Sequence, residues 1–286
     1  MTTLLHAGPP GLGIQLSADA TVSADGWLVR ELYAGSGLDG PPGILQGGFS
    51  AGVCVPIARA ADPHGAPLTS LNVRLHAPTP MGRNLQARVR ASDAAARYEV
   101  EVRDGGTLLV SGEVELAGHE PAARAFDLLE LATVPPPAPT PQYAFPSCWV
   151  CGPDPQHPLG QRLHPRHHGD DAVTIPWVAD DELADARGAI DPLVVSAVLD
   201  CPTVWASMGH VRSLGHQGAL LAGYQLTMFH DAPVMEVLRT VARFDGADGR
   251  KIRARGALVD DEGVTYAVSS ALHISVAEVP TGRPTA

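Results

Sequence analysis

The hydrophobic and polar positions of this chain follow one order, and that order occurs twice. In the first part, a mainly apolar stretch of helical length, residues 47–61, precedes runs in which apolar and polar residues alternate. Those runs cover residues 68–77, 84–92, 97–104 and 106–117. In the second part, a helical stretch at residues 191–208 precedes alternating runs at residues 218–230, 233–244, 249–260 and 263–276. The pattern predicts a helix followed by four antiparallel strands, given twice.

A proline-rich segment, "TVPPPAPTPQYAFPS", lies between the two parts at residues 133–147. Proline lacks a backbone N–H and fixes φ, so this segment can continue neither a helix nor a sheet. The sequence therefore predicts an N-terminal unit at residues 1–132, a linker at 133–147 and a C-terminal unit at 148–286.

Each predicted helix also contains a proline at a similar depth. Pro56 lies ten positions after Gln46, and Pro202 lies eleven positions after Asp191. An interior proline costs about 3 kcal/mol unless the helix kinks or ends there. The recurrence predicts a kink that both helices share, or else two helices shorter than the apolar stretches.

Composition narrows the function classes. The chain has 286 residues, of which 45% are hydrophobic, enough for one large or two ordinary domains. Its formal net charge of -11 disfavours nucleic acid as a partner. The N-terminus lacks a basic region before an apolar run, and no apolar run reaches the length of a membrane span. We therefore expect a cytoplasmic protein with no membrane partner and with free thiols.

Several motifs resemble one family. The first part contains "ILQGGFSAGVCV", "SLNVRLHAPTPMG" and "GGTLLVSGEVEL", and the second contains "CWVCGPDPQHPLGQRL" and "AIDPLVVSAVLDCPTVWA". Over roughly residues 20–118 and 145–277, the chain resembles double hotdog acyl-thioester hydrolases of the phenylacetate-pathway and type II acyl-CoA thioesterase kind. The resemblance implies an α+β double hotdog fold, in which each of two repeats has a long helix wrapped by a curved antiparallel sheet.

The resemblance also implies a site divided between two helices. The start of one helix presents N–H groups to the thioester carbonyl, and an acid on the facing helix lies nine positions after that helix's own start. Counting nine from Asp191 reaches Asp200, whereas counting nine from Gln46 reaches Val55. A carboxylate against an apolar wall can act as a base or a nucleophile. The alternative is that Asp200 caps N–H groups freed around Pro202.

The two helix starts differ in a complementary way. Gln46, Gly47 and Gly48 offer an approachable backbone with free N–H groups, which can stabilise an oxyanion. Asp191 followed by proline is typical of an N-cap. We therefore predict one active site per chain, with Asp200 and Gln46 as catalytic residues and Gly47, Gly48 and Phe49 around the oxyanion. Gln46 stands where the family usually has His, and the glycines have an alternative role in close helix-to-sheet packing.

Other polar residues are weaker candidates. Lys251, Arg253 and Arg255 alternate along a predicted strand, so they project from one face and could bind the phosphates of coenzyme A. A solvated sheet face is the alternative for this row. His76 and His230 lie near strand ends, where either could reach a pocket. The alternative for each is an ordinary histidine of the surface or the core.

The cysteines raise the question of a metal. Cys148 and Cys151 precede His157 and His164 in a C-x2-C-x5-H-x6-H pattern, which is not among the usual zinc patterns. The sequence therefore predicts no metal and no cofactor, only ordinary thiols in a Gly-Pro loop. Cys201 has no histidine placed by sequence to activate it, and we predict that it is a small core residue.

The favoured function is hydrolysis of an acyl-CoA or acyl-carrier-protein thioester. A non-hydrolytic protein that binds acyl thioesters is an alternative. A dehydratase or hydratase is a third hypothesis, but related dehydratases have a His in the first half and a Gln or His four residues after the acid, where this chain has Val204. The acyl group and a homo-oligomeric state stay open at the level of sequence.

Overall fold

The computed structural model describes residues 4–62, 64–120 and 145–280, together with residues 128, 130, 131 and 138. The linker predicted at residues 133–147 lies mostly outside these residues. The described strands and helices are, in chain order, β1 Leu4–His6, β2 Ile14–Ser17, β3 Thr21–Val22, β4 Leu28–Ala34, α1 Gly47–Gly52, α2 Cys54–Arg59, β5 Ser70–Leu75, β6 Asn84–Ala91, β7 Arg97–Asp104, β8 Thr107–Glu115, β9 Arg166–His168, β10 Ala172–Val178, α3 Pro192–Ala206, α4 Met208–Ser213, β11 Gly218–Met228, β12 Val237–Asp248, β13 Lys251–Asp260 and β14 Thr265–Val276.

All the strands named above join one antiparallel sheet of 14 strands. Its order is β1-β2-β4-β6-β7-β8-β5-β11-β14-β13-β12-β10-β9, with β3 beside β4. Outward from the central β5–β11 pair, the order is β5-β8-β7-β6-β4 on one side and β11-β14-β13-β12-β10 on the other. The four strands predicted after each helix are confirmed, and the two sides of the sheet have the same succession of strands.

The central pair holds the two sides together in a continuous ladder. β5 and β11 are antiparallel, with Val73 opposite Tyr224. Their side chains alternate between the core and the opposite face, as the alternation of apolar residues in the sequence requires. The sheet therefore crosses from the first part of the chain to the second without an exposed edge at the junction.

Helix α3 is the most deeply buried helix of those described. Val204 is half-buried, and its other 14 residues are buried, including Asp200. A helix that is apolar on all sides is typical of the interior of a protein, so the sheet and helix α1 cover it. Apolar residues of α3, α1 and the inner face of the sheet form the main core.

The helices differ around the two prolines. The helix predicted over residues 47–61 is divided at Val53 into α1 and α2, and Pro56 lies in the first turn of α2, where its missing N–H costs little. Pro202 lies inside α3, which continues to Ala206. The first helix is interrupted before Pro56, whereas the second continues through Pro202. The helix boundaries therefore give no support for a kink that both helices share.

In the part of the chain that the structure describes, we find no helix that combines the length and the apolar character needed to span a bilayer.

Candidate active site

Gly48 allows helices α1 and α3 to meet backbone to backbone. A Cβ atom on Gly48 would lie 2.4 Å from the Ser196 carbonyl oxygen and 2.6 Å from the Ala197 Cα atom, closer than real Cβ contacts. The Ser196 hydroxyl donates to the Gly48 carbonyl oxygen at 2.8 Å across this contact. Gly48 thus serves close packing between the helices, whereas a Cβ atom on Gly47 would lie 2.9 Å from Leu221 Cβ of β11, so Gly47 serves packing of the helix on the sheet. The start of α1 therefore lies against the middle of α3.

Asp200 lies at this contact, and its two oxygens have different surroundings. Oδ2 accepts hydrogen bonds from Gln46 Nε2 at 2.7 Å and from the Gly48 backbone N–H at 2.9 Å. Oδ1 is buried and has no hydrogen-bond partner among the described residues. The structure therefore brings Asp200, Gln46 and Gly48 together. The carboxylate bonds to the start of the facing helix rather than to N–H groups near Pro202.

The side-chain amide of Gln46 contacts both its own helix and the facing helix. Its Oε1 accepts from the Phe49 N–H at 2.9 Å, which makes it the N-cap of α1. Its Nε2 donates to Asp200 and lies 3.3 Å from the Ala197 carbonyl oxygen. Because an amide has both an acceptor and a donor, Gln46 caps its own helix and fixes the carboxylate on the other.

The N–H groups at the start of α1 are thus not equally available. Gly48 donates to Asp200, and Phe49 donates to Gln46. The prediction assigned the Gly48 and Phe49 N–H groups to an oxyanion, but both already donate to side-chain oxygens. The Gly47 N–H donates to no acceptor among the described residues. A Cβ atom on Gly47 would lie 2.7 Å from Asp200 Oδ2, so the backbone of Gly47 approaches the carboxylate closely.

The electrostatics of Asp200 follow from its position. Burial raises its pKa to about 7, and the negative charge of Cys148 adds to this effect, while the Gly48 N–H opposes it. Burial penalises the charged form of a carboxyl group. Near neutral pH, both protonation states of Asp200 are accordingly populated, which suits a group that accepts and then returns a proton.

A cavity of about 360 Å³ opens beside Asp200. Most of its wall is apolar and comes from both parts of the chain, including Ile44, Leu45, Leu75, Phe145, Val204, Met208, Leu220, Leu221, Ile274 and Val276. Its polar lining includes Thr79, whose hydroxyl oxygen is buried without a partner among the described residues. An apolar wall with a few polar groups is typical of a site for a small organic ligand.

The corresponding position in the other half has no acid. Val55 is fully buried there, and Asp191 caps α3 by accepting from the Leu193 N–H at 2.8 Å, as the sequence predicts. Arg59 lies with Nη1 3.8 Å from Asp191 Oδ2. Burial raises the pKa of Asp191, against the attraction of Arg59. Asp191 is thus engaged in capping and in an ion pair with Arg59.

The predicted basic row is not part of the cavity wall. Lys251, Arg253 and Arg255 do not line it, and Arg255 forms a two-pronged ion pair with Asp245 of β12, with both N···O distances 2.8 Å. The arginine that does line the cavity is Arg250, at the turn before β13, whose Nε donates to the Ser275 carbonyl oxygen at 3.0 Å. Alternation along a strand could not identify Arg250, because it precedes the strand.

The two histidines that the sequence singled out separate in the structure. His76 lines the cavity, with Nε2 2.9 Å from the Ser111 hydroxyl. His230 lies outside the cavity wall, where its ring meets that of Tyr266 edge to face at 6.4 Å.

Three cysteines form a cluster that the sequence did not reveal. The Sγ atoms of Cys148, Cys151 and Cys201 lie within 4.8 Å of one another, and all three residues line the cavity. Hydrogen bonds from Cys151 and Cys201, together with backbone N–H groups, lower the pKa of the Cys148 thiol well below its ordinary value, although burial opposes this. The prediction treated Cys201 as a small core residue, and Cys201 is indeed buried in the core. Its position beside Cys148 and Cys151 could not be read from the sequence, because 50 positions separate it from Cys151.

Comparison with solved structures identifies the architecture. An acyl-CoA thioesterase II, TesB2, from Mycobacterium marinum matches with a TM-score of 0.58 and 14% identity, over 93% of this chain and 96% of that one. A conserved protein of unknown function with a hot dog fold from Alicyclobacillus acidocaldarius matches with 0.58 and 13%, over 96% and 100%. This chain has the hotdog fold.

A dehydratase domain, that of RzxB from Pseudomonas fluorescens, is also similar, with a TM-score of 0.61 and 16% identity over 94% of this chain and 99% of that one. Identities this low establish the fold and not the activity. No model of a protein family matches the sequence, and no curated protein matches it.

Proposed function

We propose that the chain hydrolyses an acyl thioester at a single site between two hotdog repeats. The observation that supports this most directly is the asymmetry of Asp200. Oδ2 is fixed by Gln46 and by the backbone of Gly48, Oδ1 is buried without a partner among the described residues, and Asp200 lines a mostly apolar cavity. A base that is oriented through one oxygen and free at the other can act on a water molecule in the cavity.

The proposed reaction uses this geometry in two steps. Asp200 Oδ1 accepts a proton from water as the water oxygen bonds to the thioester carbonyl carbon, and the carbonyl electron pair moves to its oxygen. When the carbonyl re-forms, the carbon–sulfur bond breaks and the proton passes from Asp200 to the departing thiolate. The Gly47 N–H is the free donor that we assign to the oxyanion. Gln46 holds the carboxylate in place throughout.

The cavity wall supports an acyl group of mainly apolar character. Its apolar side chains surround the space beside Asp200, and burial of each CH₂ group is worth about 0.8 kcal/mol. The exposed Arg250 at the cavity wall replaces the predicted row of Lys251, Arg253 and Arg255 as the group that we assign to a coenzyme A or carrier phosphate.

The same contacts favour hydrolysis over dehydration. A dehydratase requires two groups that exchange protons with the substrate, and the side chain that contacts Asp200 from the first half is an amide, which does not titrate. Val204 lines the cavity one helical turn after the acid and supplies no donor. One carboxylate as the base meets the needs of hydrolysis without a second titrating group.

Release of free thiol from a panel of acyl-CoA thioesters tests the proposal, with the parent chain beside Asp200→Asn. Loss of the base is expected to lower kcat by about 10²- to 10⁴-fold. Asparagine keeps the size of the side chain, so equilibrium binding of the acyl-CoA to the variant serves as the control for folding. A parent chain that binds acyl-CoA but releases no thiol would identify a non-hydrolytic binding protein instead.

A further inference from the structure

The cavity wall next to Asp200 contains a group of side chains that the proposed hydrolysis does not use. Cys148 and Cys151 lie in the loop before β9, and Cys201 lies on α3 directly after the acid. All three thiols are free and buried. Cys54, the remaining cysteine, is also buried but is not part of this cluster.

The spacing of the sulfur atoms matches a tetrahedral thiolate site. Zinc–sulfur bonds of about 2.3 Å place two ligating sulfurs about 3.8 Å apart at a tetrahedral angle. Cys148 Sγ lies 3.7 Å from Cys201 Sγ. The three sulfurs, at most 4.8 Å from one another, share a centre within about 2.8 Å of each, so small side-chain movements complete the coordination distances.

Hydrogen-bond donors lie against each of the three sulfurs. The backbone N–H groups of Val150 and Cys151 donate hydrogen bonds to the Cys148 sulfur. The Trp205 side chain donates to Cys151, and Gln46 Nε2 lies 3.5 Å from Cys201 Sγ. Donors of this kind orient metal ligands and disperse the negative charge of the sulfurs. The amide at position 46 therefore serves the carboxylate and the cysteine cluster together.

The loop that holds two of the thiols is rigidly placed. Trp149, between them, packs its ring edge to face against Phe49 at 4.8 Å, and its backbone N–H donates to the Asp39 carbonyl oxygen at 2.8 Å. Gly152 closes the turn with its N–H on the Cys148 carbonyl oxygen at 2.9 Å. A Cβ atom there would lie 2.3 Å from the Pro146 carbonyl oxygen, so only glycine fits.

We propose that Cys148, Cys151 and Cys201 bind one zinc ion as thiolates, with the fourth coordination position directed to the cavity and filled by water. Soft thiolate ligands favour zinc over harder divalent cations, and three protein ligands leave one position open. The ion would compensate charge that three neighbouring buried thiolates could not sustain alone, and it would tie the loop at residues 145–152 to α3. This proposal departs from the prediction of no metal, which rested on Cys148, Cys151 and the histidines alone.

Metal content provides the test, and it requires no substrate, so its outcome is independent of the proposed hydrolysis. The full chain, purified in reductant without chelator or histidine tag, is expected to retain one zinc per chain. Replacing zinc by cobalt is expected to give a near-ultraviolet thiolate-to-cobalt band. Cys148→Ser and Cys201→Ser should lose both signals, whereas the matched control Cys54→Ala should keep them.

Two results would overturn the proposal. One is a reduced parent chain that retains no zinc after incubation with zinc and gel filtration, and shows no thiolate-to-cobalt band. The other is a folded Cys148→Ser chain that retains as much zinc as the parent. If the serine variants do not fold, the cobalt spectrum of the parent chain decides alone.

Discussion

Asp200 shows why a single residue can be predicted while its chemistry cannot. Its position nine residues after the helix start is a property of the sequence, and the structure places it against Gln46 and Gly48. The difference between its two oxygens arises only because α1 approaches α3 from one side. The Phe49 N–H donates instead to the Gln46 side chain three residues earlier, a local cap that the sequence-based prediction did not include.

Arg250 allows the phosphate assignment to be tested at a single residue. In acyl-CoA hydrolysis, Arg250→Ala is expected to raise KM by about 10- to 150-fold, since a hydrogen bond to a charged group is worth about 1.5–3 kcal/mol, and to leave kcat nearly unchanged. Arg253→Ala is the matched control, because Arg253 is exposed on the next strand but does not line the cavity. Equal KM changes for both variants, or a change for Arg253 alone, would reject the assignment. Steady-state kinetics at several salt concentrations supply the measurement.

At the scale of elements, the contact between α1 and α3 determines the site. The hydrophobic pattern predicts both helices, but it contains no information on how closely they approach. The two glycines at the start of α1 were consistent with sheet packing or with an oxyanion site. In the structure, the backbone of α3 leaves no room for a Cβ atom at Gly48, and the Gly48 N–H also donates to Asp200. One residue thus serves packing and the proposed chemistry together.

Gly48→Ala tests this helix contact. The new methyl group would overlap the Ser196 carbonyl oxygen and the Ala197 Cα atom, so the helices must separate. We expect the free energy of unfolding to fall by about 1–3 kcal/mol, as measured by urea denaturation, together with a loss of thioester hydrolysis.

Gly106→Ala is the control for that experiment. Gly106 lies in the turn between β7 and β8, and nothing lies within 4 Å of a Cβ atom placed there. The control is expected to unfold like the parent chain. If Gly48→Ala were as stable and active as Gly106→Ala, the close contact between the helices would be refuted.

At the scale of the whole molecule, a buried histidine links the sheet to α3. His273 of β14 lies with Nε2 2.9 Å from the Thr203 hydroxyl, which donates to the Asp200 carbonyl oxygen at 2.6 Å. The hydroxyl proton is thus committed to Asp200, so the hydroxyl accepts from Nε2, and Nδ1 is buried without a partner among the described residues. Burial lowers the pKa of His273 to about 3.

Because of His273, the free energy of unfolding falls as the pH is lowered. The unfolded chain binds a proton near its ordinary pKa of 6.5, whereas the folded chain binds it only near 3. The contribution of His273 to stability is therefore undiminished above about pH 6.5. Below that, each pH unit lowers the free energy of unfolding by up to about 1.4 kcal/mol, until about pH 3. Urea denaturation between pH 7 and pH 4 is expected to show this loss.

The variant His273→Gln isolates the contribution, because glutamine keeps a donor near Thr203 but does not titrate. Its unfolding free energy is expected to fall less steeply with acid than that of the parent chain, whatever its stability at pH 7. Identical slopes for the two chains would show that His273 is not the group responsible. The other histidines titrate in both chains, so the difference between the two pH slopes reports on His273 alone.

The sequence by itself determined the elements and the candidate acid. Alternation of period two and apolar stretches of helical length are local properties, so β5 to β8, β11 to β14 and the helix around Asp200 could be predicted without the fold. The cap at Asp191 is equally local, because an N-cap contacts only the next few residues.

Tertiary structure alone decided which groups meet. The free oxygen of Asp200, the position of Arg250 at the cavity and the cluster of Cys201 with Cys148 and Cys151 all depend on contacts between segments distant in sequence. The hydrophobic pattern fixes which face of an element is buried, but the separation of two packed backbones depends on the side chains between them, and here glycine reduces that separation to direct contact.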